Sequence, residues 1–149
     1  MVKKGAHVVN PRYAKSKAYR KVIADIAGSK RCPFCPDNFR YHKKPILRKS
    51  NGWFITESTW PYKNSQKHFL IIALKHKETL QELGAADTRG LLHLAQWAVK
   101  RCRIKGGALT MRFGDTNYTG ATVAHLHAHL IFPQVDKKGI AKTVNFPIG

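Results

Sequence analysis

Residues 122–132 read TVAHLHAHLIF, and this stretch constrains the fold more than any other part of the chain. Apolar residues and histidines alternate here, which predicts a β-strand, because successive strand side chains point to opposite faces of a sheet. The apolar set then packs on the core, and the opposite face carries His125, His127 and His129. Three imidazoles in register need three sets of hydrogen-bond partners, so this face is expected to be a functional site rather than ordinary core.

Two chemistries fit a cluster of neutral imidazoles. The cluster can bind a transition metal, or one imidazole can attack phosphorus and form a covalent phosphoramidate that a second acceptor resolves. The preceding segment, residues 116–123 (TNYTGATV), is rich in Gly and Thr. Its backbone N–H groups and hydroxyls can approach a phosphate closely, which suits the second chemistry.

The rest of the chain predicts a mixed fold. A basic amphipathic helix is expected at 14–26, ended by Gly28, and a second, longer helix at 86–104, where apolar residues recur at helical spacing. Strands are expected at 46–49, 53–56, 68–74, 108–113 and 122–132. The first two flank Ser50-Asn51-Gly52, a hairpin turn, and 68–74 (HFLIIAL) is apolar enough for a buried central strand. This order predicts an α+β fold rather than a doubly wound one.

The net charge and the length of the chain limit its possible functions. The chain has 149 residues, enough for one domain, and its 27 Lys and Arg against 8 Asp and Glu give a net charge of +19. Such a balance attracts polyanions such as nucleic acid, nucleotide polyphosphates or acidic membrane surfaces, although general solubility or a basic host cytoplasm would produce it too. No apolar run approaches the ~20 residues that span a bilayer, and no secretory signal follows the first residues. We therefore expect a cytoplasmic protein without a membrane span.

The pair Cys32 and Cys35 lies in CPFCPDN. A C-x-x-C pair in a cytosolic protein is more often a metal clip or a redox pair than a disulfide. A redox pair is expected at the start of a helix that follows a strand. Pro33, Pro36 and the loop-like residues after them favour the metal clip.

Several segments together resemble the histidine triad (HIT) superfamily of nucleotide hydrolases and transferases. HLHAHL looks like the family's alternating histidine signature, and CPFCPDN resembles its N-terminal zinc clip. Residues 60–83 (WPYKNSQKHFLIIALKHKETLQEL) and 120–133 (GATVAHLHAHLIFP) resemble its two other conserved blocks. The resemblance implies a single HIT-like domain over 1–149, with a basic N-terminal extension (1–30), a core (32–133) and a C-terminal tail (134–149). Its fold is an antiparallel sheet of about five strands with one long helix and a shorter N-terminal helix.

The resemblance also implies roles for single residues. His127 matches the nucleophile that attacks the α-phosphorus, and His129 matches the residue that contacts the phosphate or assists the leaving group. Thr122 matches the hydroxyl near the leaving group, and Gly120 the glycine of the same loop. His68 matches a histidine expected to be structural.

A structural zinc ion is implied as well. In relatives with a C-x-x-C clip the metal is held by two cysteines and two histidines, which match Cys32, Cys35, His76 and His125. A closed Cys₂His₂ set suits tetrahedral structural zinc. Without zinc, His125 is expected to support His127 by hydrogen bonding.

The chain departs from the family pattern at three substrate-contacting positions. The glutamine after Gly120 is Ala121, the ribose-contacting Asn or Asp is Ser58, and the loop asparagine is Gly114, for which Asp115 or Asn117 is the expected substitute. These changes affect substrate specificity and leave the covalent step intact.

The leading functional hypothesis is therefore a nucleotidyl hydrolase or transferase with a nucleotidyl-His127 intermediate. The high charge motivates a second hypothesis, an enzyme that removes an adenylate or a cap from a polynucleotide 5′ end. A non-catalytic nucleotide or RNA binder is the third. The resemblance implies a homodimer formed through the long helix and the sheet edge.

Overall fold

The computed structural model describes residues 8–149, so residues 1–7 of the predicted N-terminal extension lie outside it. The helices and strands follow in this order: α1 (Lys17–Ser29), β1 (Ile46–Ser50), β2 (Trp53–Glu57), β3 (Ser65–Ala73), α2 (Ala85–Arg101), β4 (Ala108–Met111), α3 (Thr116–Thr119) and β5 (His127–Pro133). Short 3-10 helices occupy Pro11–Tyr13, Pro36–Tyr41 and Leu80–Glu82. Within residues 8–149, no helix is long and apolar enough to cross a membrane.

The five strands form one antiparallel sheet in the order β1-β2-β3-β5-β4. The predicted α+β class, the five strands and the central place of β3 are confirmed. The hairpin between β1 and β2 turns at Asn51 and Gly52, which both have positive φ (37° and 82°). Such a turn needs residues that tolerate this backbone conformation, and Asn-Gly is the favoured pair.

The sheet has two differently covered faces. One face packs against α2 and forms the main core, with Trp53, Ile71 and Leu94 completely buried. The other face is covered by α1 and the Cys32–Cys35 segment, with Phe54 and Ile72 buried beneath Phe34. His127 and His129 lie on this second face, away from α2.

The predicted strand over 122–132 is wrong in its first half. Regular pairing begins at His127, and only Val123 forms an isolated bridge, to Val9. The backbone N–H of Leu126 bonds to the carbonyl of Lys77 instead of to a strand. Ala124, expected in the core, is only partly buried because it precedes the strand.

Helix boundaries also differ from the predictions. The first helix begins at Lys17, since the Ser16 hydroxyl accepts the N–H of Tyr19 (3.1 Å) and so caps the helix. It continues through Gly28 and ends where Lys30 adopts the left-handed conformation. The predicted loop over 116–123 contains α3, which ends at Gly120 with φ of 67°.

Gly90 on α2 offers a test of this packing. A Cβ at this position would lie 2.6 Å from the carbonyl oxygen of Asn51 and 2.7 Å from that of Ser50. We expect Gly90→Ala to lower the free energy of unfolding by about 1–3 kcal/mol, as overpacking does. Urea denaturation measures this change. Gly28→Ala is the control, because no atom lies within 4 Å of its Cβ and alanine favours a helix. Equal stability of the Gly90 variant and the native protein would contradict the packing described.

Candidate active site

Pairing between β3 and β5 places the last two histidines of the triad. His127 lies opposite Ile72, and His129 lies opposite Leu70. Their neighbours Ala128 and Leu130 point into the α2 core, as the alternation predicted. Both imidazoles are therefore buried on the α1 face of the sheet.

The hydrogen bonds of His127 assign its tautomer. Nδ1 lies 2.7 Å from the carbonyl oxygen of His125, so Nδ1 carries the proton and donates it to that oxygen. Nε2 consequently keeps its lone pair. Burial, with a smaller contribution from the nearby charge of Arg112, lowers the pKa of His127 to about 4, so the ring is neutral at pH 7. The edge of the Phe34 ring packs against it at a centroid distance of 5.0 Å.

A second chain of hydrogen bonds assigns the tautomer of His129. The backbone N–H of Tyr62 donates to Nδ1 of His68 (3.2 Å), so the proton of neutral His68 lies on Nε2. That atom donates to Nδ1 of His129 (2.9 Å), and the proton of His129 is left on Nε2. Burial lowers the pKa of both rings, which keeps them neutral. The Nε2–H of His129 is buried without a hydrogen-bond partner among the described residues.

A cavity of about 540 Å³ opens over these histidines. Its lining includes His127, His129, Gly120 and Thr122. The hydroxyl of Thr122 forms a 2.7 Å hydrogen bond with the hydroxyl of Tyr19 on α1. The first helix therefore forms one wall of the cavity and is joined directly to the site.

Two positions expected from the sequence contribute differently to this cavity. Ser58, at the expected ribose-contacting position, lines the cavity, and its hydroxyl accepts the backbone N–H of Trp60 (3.2 Å). Asn117 lies on α3 with its side chain exposed and is not part of the cavity lining within residues 8–149.

Cys32, Cys35, His76 and His125 form a cluster that could bind a metal ion. Their candidate ligand atoms all lie within 4.8 Å of one another. Nδ1 of His125 is 3.3 Å from Sγ of Cys32 and 3.2 Å from Nδ1 of His76, and Sγ of Cys35 is 3.5 Å from Nδ1 of His76. A tetrahedral site with Cys and His ligands has edges of roughly 3.3–3.8 Å. The three distances given are close to this range, so the cluster could hold one metal ion.

The outer nitrogens of both histidines also suit metal binding. Nε2 of His125 donates to the carbonyl oxygen of Ala73 (2.7 Å), and Nε2 of His76 contacts the carboxylate of Glu78 (2.9 Å). These bonds turn both Nδ1 lone pairs toward the cysteines, as acceptors beyond metal-bound histidines commonly do. Burial raises the pKa of Cys32 to about 12. A divalent cation would supply the positive charge that a buried thiolate needs.

Sequence reasoning missed several residues of the site. Arg112 follows β4, and continuing the β4–β5 register beyond Met111↔Ala128 places it opposite His127. The predicted pairing of strands 108–113 and 122–132 would have placed Arg112 beside His127 if the strand register had been known. Tyr62 stacks on His129 (centroids 5.6 Å apart), and His68, assigned only a structural role, bonds directly to His129. No periodicity in the sequence indicates these contacts.

Comparisons with known proteins agree with this architecture. The family model of the HIT domain matches residues 63–135, which include β3, α2, β4, α3 and β5. A HIT family hydrolase from Clostridium thermocellum is 24% identical, with a TM-score of 0.53 over 70% of this chain and 90% of that chain. A histidine triad nucleotide-binding protein from Candida albicans is 19% identical, with a TM-score of 0.56 over 78% and 82% of the two chains.

A Zn-bound histidine triad family protein from Mycobacterium smegmatis is 17% identical, with a TM-score of 0.53 over 74% of this chain and 79% of that one. At these identities the structural likeness shows a common fold. A comparison with curated proteins finds no match. The match to the family model, the common fold and the position of the three histidines together show that this chain contains a histidine triad (HIT) domain.

Proposed function

We propose that this protein is a nucleotidyl hydrolase or transferase that acts on the α-phosphate of a nucleotide conjugate through a covalent intermediate on His127. The tautomer of His127 carries the proposal, because its Nδ1–H bond to the His125 carbonyl leaves Nε2 as a neutral nucleophile beside the cavity. The descriptions of two structural neighbours, a hydrolase and a nucleotide-binding protein, support the same class of activity.

In the first step the Nε2 lone pair attacks the α-phosphorus. A phosphorus–nitrogen bond forms, the bond from phosphorus to the leaving group breaks, and the leaving group takes the electron pair and a proton from solvent. The imidazole becomes cationic, and the carbonyl of His125 stabilises that charge at Nδ1. In the second step water or another acceptor attacks phosphorus and loses a proton. The phosphorus–nitrogen bond breaks and neutral His127 is restored.

Neighbouring donors are assigned to the phosphate. The buried Nε2–H of His129 suits a non-bridging oxygen, where negative charge increases in the transition state. Thr122 and Gly120 line the cavity beside it, and the Thr122 hydroxyl is assigned to the leaving-group side. Asn117 is also assigned to the phosphate. Because its side chain is exposed on α3, this role requires α3 to move toward the bound substrate.

We assign structural zinc to the Cys32, Cys35, His76 and His125 cluster. The donor set and its tetrahedral spacing support this assignment, as does the Zn-bound neighbour. With four protein ligands no coordination position is left for substrate. The ion would connect the segment after α1 to the loops that follow β3 and precede β5.

The charge of +19 supports a second candidate, in which the leaving group is a polynucleotide 5′ end.

We also expect a homodimer formed through α2 and the sheet edge. Leu92 and Val99 on α2 are 47% and 38% exposed, and Leu109 on the edge strand β4 is 40% exposed. These apolar side chains suit a symmetric contact.

The intermediate is tested by intact-protein mass spectrometry under alkaline quench after incubation with nucleotide conjugates and a 5′-adenylated oligonucleotide. We expect a nucleotidyl adduct on the native protein, no adduct on His127→Ala, and a loss of turnover of roughly 10³-fold or more. His93→Ala is the matched control, since His93 lies on α2 and its one side-chain hydrogen bond among residues 8–149 is to Ser50. Turnover retained by His127→Ala would contradict the proposal, and turnover of the oligonucleotide alone would favour the second candidate.

Metal analysis tests the zinc assignment. We expect about one zinc per chain in the native protein and loss of most of it in Cys35→Ala, because one of four ligands is removed. Cys102→Ala should keep the metal, since Cys102 lies at the end of α2, outside the cluster. Equal zinc in the two variants would contradict the assignment.

Light scattering after gel filtration tests the dimer. The native protein should have twice the mass of one chain, and Leu92→Glu should dissociate it, because a buried unpaired carboxylate is costly. Ile148→Glu is the control, because Ile148 is exposed and lies outside both α2 and β4. A monomeric native protein would show that this expectation is wrong.

A further inference from the structure

We propose that Arg112 and Lys15 bind a phosphate of the leaving group, so that the substrate is a nucleotide conjugate whose leaving group is itself phosphorylated. The inference rests on the proposed function and names its substrate class. Neither residue belongs to the sequence blocks that resemble the family. Both line the cavity that contains His127 and His129.

The guanidinium of Arg112 is held rigidly but is not saturated with partners. Nη1 donates to the carbonyl oxygens of Gly120 (3.3 Å) and Pro147 (3.1 Å), and Nη2 donates to the hydroxyl of Tyr62 (3.3 Å). These bonds leave Nε–H and one Nη2–H for another acceptor. Nε is buried and has no hydrogen-bond partner within the described part of the chain. Nε and Nη2 form the edge of a guanidinium that binds two oxygens of one phosphate.

Lys15 supplies a second cation at the same place. Its Nζ lies 5.0 Å from the centre of the Tyr62 ring, whose hydroxyl bonds to Arg112. Partial burial and the charge of Arg112 lower the pKa of Lys15, which agrees with two cations held close together. Neither takes part in the ion pairs found among residues 8–149.

The cavity as a whole has only positive charges. Its lining from the described residues includes Lys15, Lys63 and Arg112 and no Asp or Glu. Like charges brought together without a counter-ion attract an anion, and the protein around them replaces water by fixed donors. The cavity is therefore suited to a substrate with several negative charges.

The number of negative charges on the substrate assigns Arg112 and Lys15 to the leaving group. An α-phosphate bonded to a nucleoside and to a leaving group carries one negative charge, and the proposed function already assigns it to His127 and His129. Ala121, which follows Gly120, offers no side-chain donor. Two further cations match a leaving group with charges of its own, such as a polyphosphate or a phosphorylated end.

Phe146 packs against both Arg112 and His129. Its ring lies 4.8 Å from the guanidinium carbon of Arg112, and its centroid is 5.1 Å from that of His129. Nε of Arg112 and Nε2 of His129, two of the buried N–H groups that lack a partner among the described residues, thus lie on side chains that contact the same phenylalanine.

Calorimetric titration with inorganic pyrophosphate tests the subsite directly. We expect Arg112→Gln to weaken binding at least tenfold relative to the native protein, and Arg112→Lys to weaken it less, since it keeps the charge but loses the bidentate edge. Arg89→Gln removes the same charge from the exposed surface of α2 and is the matched control. Thermal unfolding of each variant verifies that it is folded. Equal pyrophosphate affinity in folded Arg112→Gln, folded Arg112→Lys and the native protein would overturn the proposal.

Kinetics separate this inference from the proposed function. Diadenosine tetraphosphate and adenosine 5′-phosphoromorpholidate share the adenylyl group and differ in a charged or uncharged leaving group. We expect Arg112→Gln to lower kcat/KM for the tetraphosphate at least tenfold more than for the morpholidate. Equal losses would overturn the inference while leaving the covalent mechanism intact. If the native protein turns over neither compound and forms no adduct, the proposed function fails, and the pyrophosphate titration still decides whether Arg112 binds phosphate.

Discussion

The antiparallel pairing of β3 with β5 is the constraint on which the site depends. Its register sets His127 opposite Ile72 and His129 opposite Leu70, so both imidazoles emerge on one face while Ala128 packs under α2. A shift of one residue would move both histidines into the core. The apolar side of β5, buried under α2, therefore fixes the orientation of the two histidines on the opposite side.

His125 connects this strand to the proposed metal cluster. Its Nδ1 faces Cys32, its Nε2 donates to the Ala73 carbonyl, and its own carbonyl accepts the Nδ1 proton of His127. One residue thus sets the tautomer of the proposed nucleophile with its backbone and holds the preceding loop with its side chain.

The cavity combines neutral imidazoles with unpaired cations. Burial keeps His127 and His129 uncharged, while Arg112 and Lys15 form no ion pair with any residue from 8 to 149. Unsatisfied buried donors such as Nε2 of His129 are costly in a folded protein. An anion bound in the cavity would satisfy them, and such preorganised donors are what the proposed phosphoryl transfer needs.

The sequence by itself determined the features that depend on local periodicity and residue chemistry. These are the two faces of β5, the Asn51-Gly52 hairpin, the C-x-x-C pair and the α+β class. Only the tertiary structure decided which distant residues meet: Tyr19 with Thr122, and Arg112 with Tyr62. It also decided where β5 begins, because the Leu126 N–H bonds to the Lys77 carbonyl. Alternation fixes which face a side chain takes, but its partners depend on strand register and on long-range packing, which no local pattern encodes.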